Sequence, residues 1–374
     1  MKVVLATARL DMPGGSETYL LTLADHMTRL GADVTILATS QGMSADWARS
    51  RGLTVVGTID ELPEDPEVTL AFGAELATEL AGNAPSALRL FVAHNLLESQ
   101  FPAPLEGIVH ATIAPNDRLE RIARGHIGCG EVIRMRQPID TQRFSSRGEP
   151  SDVPERVLLI GNYHSTIIRS RAAQIKEAWA PAELEWISLG DPEPTMEVVS
   201  TIGEADIVVG IGRCILEAMA CGRPAYVHDH AGSDGWVTEE NYEALESDGF
   251  SGAALRAAPD VATLRADLDL YDPHLGRVGQ DLVRRHHHAR IHTADLMTMI
   301  KSRRKVSVAP DTDALQAVKV MQAYFVRADL DAERYRVQEM VTATTYKNFL
   351  RTKRYRMAVA IARPLDKLKL LLKR

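Results

Sequence analysis

Ala205-Asp-Ile-Val-Val-Gly-Ile-Gly-Arg-Cys-Ile-Leu-Glu-Ala-Met-Ala-Cys-Gly-Arg-Pro224 contains a strand, a turn and a helix in twenty residues. Ile207–Val209 is a short β-branched run, the pattern of a strand buried on both faces. Gly210 and Gly212 form a Gly-x-Gly turn, and the helix predicted over Arg213–Cys221 is closed by Gly222 and Pro224. Arg213 falls in the first helical turn, where a cation opposes the helix dipole by a few tenths of a kcal/mol to about 1 kcal/mol. A bound diphosphate would account for that placement. Pairing with Glu217, four residues later on the same helix face, is the alternative. If a diphosphate is the reason, Arg213→Ala loses affinity for that ligand and keeps its melting temperature.

The same grammar recurs on both sides. Upstream, Val157-Leu-Leu-Ile-Gly161 and Leu184–Leu189 read as strands of the same series. At the N-terminus, Lys2-Val-Val-Leu-Ala-Thr7 is followed by the loop Ala8–Gly15. A stretch with apolar residues at helical spacing comes next (Leu20, Leu23, Ala24, Met27, Leu30), and then the run Val34–Ala38. That is a βαβ unit, with Ser16 as its expected N-cap and Gly31 just past the helix end. Further apolar runs at Leu53–Val56, Val68–Phe72, Leu88–Val92 and Ile108–Ile113 continue it. Strands alternating with helices imply parallel sheets covered on both faces. Ser145–Pro154, rich in Ser, Gly, Pro and charge, reads as a linker. The expected organisation is α/β: a Rossmann-like domain over 1–144, the linker 145–154, a second Rossmann-like domain over 155–300, and a helical extension over 301–374. Two sheets facing each other leave a cleft suited to a ligand.

At 374 residues the chain is long enough for two such domains, and 45% hydrophobic with 25% charged residues excludes a disordered or fibrous protein. Aromatics at 5% argue against a stacking surface for nucleic acid. The three cysteines, Cys129, Cys214 and Cys221, show no C-x-x-C spacing and read as reduced thiols. No apolar run is long enough for a signal-peptide core or a membrane span, so a cytoplasmic location is expected. Residues 347–374 hold ten Lys and Arg against one acid, Asp366, in a chain of net charge −7. Met357, Ile361, Leu365, Leu368 and Leu372 fall on one stripe of that tail. It reads either as an amphipathic helix on an anionic membrane surface or as a helix packed back across the N-terminal domain.

Several residues could carry chemistry. Gly14 and Gly15 end the first strand's loop at a helix N-terminus, where unpaired N–H groups attract anions. The loop is neither G-x-G-x-x-G nor a P-loop. His94 follows a strand, a place for a ligand contact or for a satisfied polar side chain. Gly232, Ser233 and Asp234 form a turn that would line the cleft and contact its ligand, a sugar if the resemblance given below holds. A metal held by His228, His230 and Asp234 is the weaker alternative. His286-His-His288 lies in a predicted helix and reads as a solvated face. No catalytic nucleophile is identified.

Pro13-Gly-Gly-Ser-Glu-Thr-Tyr19, Gln137-Pro-Ile-Asp-Thr-Gln-Arg-Phe144 and Leu216-Glu-Ala-Met-Ala-Cys-Gly-Arg-Pro224 resemble, in order over about residues 1–300, the retaining GT-B glycosyltransferases of family 4. The resemblance implies a glycosyltransferase with a nucleotide-sugar donor, no cofactor and no metal, and a glycan or lipid-linked acceptor. It implies that Gly14 and Gly15 lie in the cleft, that Glu217 holds the ribose hydroxyls, and that basic groups of the second domain neutralise the donor diphosphate. Two positions depart from the family pattern. Its Glu-x7-Glu motif would put a Glu at Val209, although Gly210 and Gly212 match. Asn162 replaces an Arg, leaving Arg169 or Arg171 to stand for a Lys, with Arg213 as a substitute cation. These departures leave two alternatives open: a GT-B-shaped protein that binds without turnover, and a GT-B nucleotide-sugar epimerase.

Overall fold

Val3–Thr7, five consecutive buried residues, give the first strand the pattern of a parallel strand covered on both faces. A computed structural model of the chain describes residues 1–94, 103–145, 148–161, 166–182, 184–190, 195–229, 232–255 and 259–303, all within one compact unit spanning residues 1–315. In chain order the strands are β1 (Lys2–Leu10), β2 (Asp33–Gln41), β3 (Thr54–Val56), β4 (Val68–Ala71), β5 (Leu88–Val92), β6 (Ala111–Ala114), β7 (Glu131–Arg134), β8 (Arg156–Gly161), β9 (Glu185–Gly190), β10 (Ile207–Gly210), β11 (Ala225–Asp229) and β12 (Gly232–Trp236). The helices are α1 (Gly15–Arg29), α2 (Met43–Ser50), α3 (Ala74–Asn83), α4 (Asp117–Arg124), α5 (Thr166–Trp179), α6 (Val198–Glu204), α7 (Arg213–Ala220), α8 (Tyr242–Asp248), α9 (Val261–Leu268), α10 (His274–His286) and α11 (Ala289–Ser302).

The first sheet has seven parallel strands in the order β3-β2-β1-β4-β5-β6-β7. The second has five in the order β12-β11-β10-β8-β9, parallel except for β12, which runs antiparallel to β11. The order reverses direction beside β1 in one sheet and beside β8 in the other, so the loops leaving these strands sit at switch points, where open α/β sheets place ligands. Each sheet is buried on two faces. Leu20, Leu23 and Met27 of α1 with Ala45 of α2 cover one side of the first sheet, and Leu80 of α3 with Leu119 of α4 cover the other. Ile215 and Met219 of α7, Leu245 of α8 and Leu282 of α10 pack on one side of the second sheet, while Trp179 of α5 and Leu264 of α9 pack on the opposite side.

Asp206, in the stretch Ala205–Pro224, also holds the segment entering β8. Its carboxylate accepts from the backbone N–H of Ser151 (2.8 Å), Glu155 (2.9 Å) and Arg156 (3.0 Å). Burial pushes this carboxyl up, but the three backbone donors hold it below the usual carboxylate range.

The structure corrects three local readings. The N-cap of α1 is Gly14, in extended conformation, and Ser16 lies inside the helix with its hydroxyl donating to Glu17 (2.9 Å). Gly31, at φ +85°, does close the helix: its N–H reaches Thr28 O and that of Ala32 reaches Met27 O, both at 3.0 Å. The segment Gly232–Trp236 is a strand, because it pairs with β11 through a bulge at Val227–His228. The run His286-His-His288 is not a solvated helix face. His287 caps α10, is 1% exposed, and meets Tyr242 Oη and Gln137 O at 2.8 Å each. Here the chain crosses between the sheets: Ile139 donates to His287 O (2.7 Å) and Ala289 to Ile139 O (2.9 Å). Helix α11 then lays Leu296, Met297 and Ile300 into the core of the first sheet, beside α1.

A cluster of ions also joins the two sheets. Arg134 of β7 contacts Glu246 of α8 at 2.6 Å and Asp117 of α4 at 2.6 Å, and Arg136 contacts Glu243 at 2.6 Å and Glu246 at 3.4 Å. Burial pushes the Glu246 carboxyl up while the two guanidinium groups pull it down, and its net position stays above the ordinary value. Helix ends beside this cluster define the cavity that follows.

Candidate functional site

The loop leaving β1 and the turn leaving β10 bring the N-termini of α1 and α7 together. A Cβ added at Gly15 would lie 3.8 Å from Arg213 Cβ, in ordinary van der Waals contact, so the two helix ends approach closely across the cleft. Neither terminus has a side-chain cap: Gly14 precedes α1 and Gly212, at φ +64°, precedes α7. At α1 the Glu17 carboxylate takes its own first-turn N–H, while the positive dipole end of α7 faces the cleft. A cavity of about 220 Å³ opens at this junction. Gly15, Ser16 and Tyr19 of α1 line it, with His94 after β5, Pro115, Asn116 and Arg118 at the start of α4, and Gln137 of the crossing segment. Ile211, Gly212 and Arg213 close it from the second sheet, together with Gly249 and Ser251 after α8.

Two glycines fix its walls. Gly249 has φ +77°, and a Cβ there would meet Asn116 Nδ2 at 2.3 Å. At Gly210 a Cβ would meet Cys214 Sγ at 2.5 Å and the backbone oxygen of Ile160 at 2.8 Å, which holds the α7 turn against β8. Asn116 caps α4 by accepting from the Leu119 N–H (2.8 Å), and Arg118 reaches across to Asp248 O (3.1 Å). One acid lies close by. The Glu17 carboxylate folds back over Gly14, and burial pushes it up.

Of the residues singled out in the sequence, Gly15, His94, Gly212 and Arg213 meet at this cavity. Burial pushes the His94 imidazole below its ordinary value, which keeps it neutral at pH 7, and its ring lies 6.0 Å from Phe72. Arg213 and Glu217 are 6% and 7% exposed. The guanidinium is committed three ways: Nε to Glu217 (2.9 Å), one Nη to Pro138 O (2.8 Å) and the other to Thr22 Oγ1 (3.0 Å). The pair at four-residue spacing is therefore formed, and it also binds α7 to α1 and to the crossing segment. Burial pushes the Glu217 carboxyl up, with Arg213 and then Arg143 opposing. Gly14 stands at the head of α1, and Val209 is fully buried in β10.

Gly232, Ser233 and Asp234 do not line the cavity. Ser233 is buried and donates to Val227 O (3.2 Å), and Asp234 accepts from Ala254 (3.1 Å) and Leu255 (2.7 Å). Those backbone bonds occupy the carboxylate proposed for a sugar or, with His228 and His230, for a metal. His230 lies outside the described residues, as do Asn162 and the basic tail 347–374. Arg169 and Arg171 belong to α5, but their side chains are outside the described set. Tyr19, Asn116, Arg118, Gly249 and Ser251 are cavity residues that the sequence did not mark. Asn116 alone had a signal, an Asn-Asp pair at the start of a helix. Among the described residues, Asp25, His26 and Asp140 form one cluster of potential metal-binding groups. Asp25 there is paired with Arg29 (2.7 Å) and Arg51 (3.3 Å), and Asp140 accepts from the Gln142 (3.0 Å) and Arg143 (3.1 Å) N–H groups. No helix among the described residues is long and apolar enough to cross a membrane.

No family model matches the sequence, and no curated protein matches it. Solved structures do. The chain is similar to HepE of Anabaena, solved in complex with UDP and glucose, with a TM-score of 0.58 and 13% identity over 81% of this chain and 100% of that one. It is similar to the pneumococcal O-GlcNAc transferase GtfA, solved in complex with UDP and GlcNAc, with a TM-score of 0.55 and 8% identity over 80% of this chain and 98% of that one. A glycosyltransferase from Rickettsia africae gives a TM-score of 0.52 and 11% identity over 80% and 97% of the two chains. The shared feature is the fold, and the α/β GT-B architecture expected from the sequence is the fold of this chain.

Proposed function

We propose that the protein transfers a sugar from a nucleoside-diphosphate donor to a glycan or lipid-linked acceptor, with retention at the anomeric carbon and without a catalytic metal. The observation that carries this reading is the junction of two uncapped helix N-termini, α1 from one sheet and α7 from the other, over a single cavity. Converging backbone dipoles stabilise the negative charge that grows on a departing diphosphate, and this electrostatic term is commonly the largest in such chemistry. A cavity of about 220 Å³ is smaller than the roughly 300–1,000 Å³ of most small-molecule sites. It suits the diphosphate and the transferring sugar, with the nucleoside reaching outside it. His94, neutral and at the rim, is placed to hydrogen-bond a sugar hydroxyl. HepE and GtfA, which share the fold, were each solved with UDP and a sugar, and this supports a nucleotide-sugar donor here. The reading includes the family 4 assignment and a cytoplasmic chain whose tail 347–374 rests on an anionic membrane.

Nucleotide binding without turnover is the second reading. Its supporting observation is that Glu217, which the resemblance assigns to ribose, is buried and held by Arg213, while position 209 is a buried Val. The test is an assay of UDP-, GDP- and dTDP-sugars with a membrane extract as acceptor, in EDTA. Release of free nucleoside diphosphate above the uncatalysed rate is expected. No release from any donor would favour binding without turnover, and a changed nucleotide sugar would indicate an epimerase.

A further inference from the structure

Among the described residues, the cavity wall carries two permanent cations, Arg118 and Arg213, and no carboxylate. Arg213 is enclosed: it is 6% exposed, and its guanidinium is given to Glu217, Pro138 O and Thr22 Oγ1. Arg118 is the opposite case. Its side chain is 46% exposed, and it stands in the first turn of α4, two residues after the cap Asn116 that packs against Gly249.

One nitrogen fixes its position. Nε donates to the backbone oxygen of Asp248 (3.1 Å) and lies 3.3 Å from that residue's carboxylate, which also accepts from the Ser251 hydroxyl. A guanidinium carries five N–H groups in a planar fork, and Nε supplies one of them. Arg118 therefore spans from α4, on the first sheet, to the turn after α8, on the second. An ion pair this exposed contributes little to stability, so stability does not account for a cation placed on a cavity wall. Asp117, its neighbour in the chain, pairs with Arg134 (2.6 Å), and Glu246 of α8 pairs with the same guanidinium (2.6 Å). Burial keeps His94 neutral at pH 7, and the positive dipole end of α7 faces the same space. The accessible charge of the cavity is positive, and the planar fork of an arginine matches phosphoryl oxygens.

We propose that Arg118 binds a phosphoryl group in this cavity through its Nη donors, the group being the diphosphate of the donor or the phosphate of a phosphorylated acceptor, while Asp248 holds it at Nε. This rests on the reading of the cavity as a donor site. It sets a cation from the first sheet opposite the α7 terminus of the second, so that the phosphoryl group is held from both sides of the cleft.

Arg118→Gln, Arg118→Lys and Asp248→Asn are compared with wild type in the full chain. Calorimetric titrations in EDTA use UDP, uridine and inorganic pyrophosphate, then farnesyl phosphate in saturating UDP, and a melting curve accompanies each variant. Arg118→Gln is expected to melt within a few degrees of wild type and to weaken a phosphorylated probe about ten- to a hundredfold, the scale of lost hydrogen bonds to a charged group. Arg118→Lys keeps the charge without the fork and recovers part of that loss. Asp248→Asn binds as tightly as wild type or tighter, because Arg118 keeps its backbone contact and loses a competing charge. Loss for UDP and pyrophosphate assigns the donor's diphosphate; loss for farnesyl phosphate alone assigns the acceptor's phosphate. Unchanged affinity in Arg118→Gln for every probe that wild type binds overturns the role of Arg118 and leaves the donor site standing. Equal loss for uridine, which has no phosphoryl group, overturns the phosphoryl assignment. Asp248→Asn that weakens binding as much as Arg118→Gln also overturns it, because Arg118 would then act by bracing the Gly249 wall. Wild type that binds neither UDP nor pyrophosphate overturns the donor site, and the Arg118 proposal with it.

Discussion

Arg213→Ala will destabilise the protein by about 3–5 kcal/mol at neutral pH, the usual cost of leaving one member of a buried ion pair without the other. Glu217 is 7% exposed and takes its 2.9 Å bond from Arg213, so the substitution strands a carboxylate in the core between α7 and α1. Pro138 O and Thr22 Oγ1 lose their donor in the same step. The sequence reading, in which Arg213 faces a diphosphate, expects an unchanged melting temperature, so urea unfolding separates the two accounts. pH adds a second check. Burial raises the Glu217 carboxyl above its ordinary value of 4.5, so the folded state holds that proton more tightly than the unfolded state. The favourable contribution of such a group is fully present below 4.5 and is lost as pH rises through the folded-state value. With the cation gone that value climbs further. The deficit of Arg213→Ala against wild type is therefore smaller near pH 4 than at neutral pH. A deficit independent of pH would mean that Glu217 is not the group left behind.

Glu246→Ala will cost about 3 kcal/mol, the lower end of the same range, because Arg134 retains Asp117 at 2.6 Å. Glu246 is 3% exposed and accepts from Arg134 at both oxygens, 2.7 and 2.6 Å, so a charge on β7 is neutralised by a carboxylate on α8. The control is Glu243→Ala. Its carboxylate also pairs with a guanidinium, Arg136, at 2.6 Å, but it is largely exposed, and such pairs contribute roughly 0–1 kcal/mol. Equal costs for the two substitutions would show that the sheets are not held together by the buried member. Unfolding curves in urea measure both, and the Glu246 variant should also weaken nucleotide binding, since the α8–Gly249 turn forms one wall of the cavity.

Elements with strong periodicity were legible before any coordinates. β1, α1 and β2, and likewise β10 and α7, carry apolar runs and helical spacing that no long-range contact overrides; their starts fall within two residues of the expectation, and β1 and β2 each run three residues past the expected end. β7 and β12 were missed for a physical reason. Glu131-Val-Ile-Arg134 has charges at both ends of a four-residue edge strand, and Gly232-Ser-Asp-Gly-Trp236 has two glycines and no β-branched residue. Each is a strand because a neighbour offers its free edge. The fate of His287 is a tertiary fact too: it is buried by Tyr242 and Gln137, far away in sequence. Gly15 and Gly212 were legible because each sits at a strand-to-helix turn, whereas Gly249, after α8, was not. The role of Arg213 was legible only as two alternatives, since a helix spacing shows that it can reach Glu217 and not whether Thr22 and Pro138 close around it. Tyr19 was legible as part of the N-terminal motif but not as a cavity residue, because that depends on how α1 meets α4 and the turn before α7.

Calorimetric titration of the purified full chain with UDP, GDP, ADP, CDP and dTDP in excess EDTA tests the donor site most directly. One nucleoside diphosphate should bind without metal, weaken as salt rises because its contacts are charged, and raise the melting point by about 2.7 kcal/mol of added stability at 100 times its dissociation constant. Binding of none of the five, with the protein folded by its melting curve, would contradict the assignment of the α1–α7 cavity to a nucleotide-sugar donor.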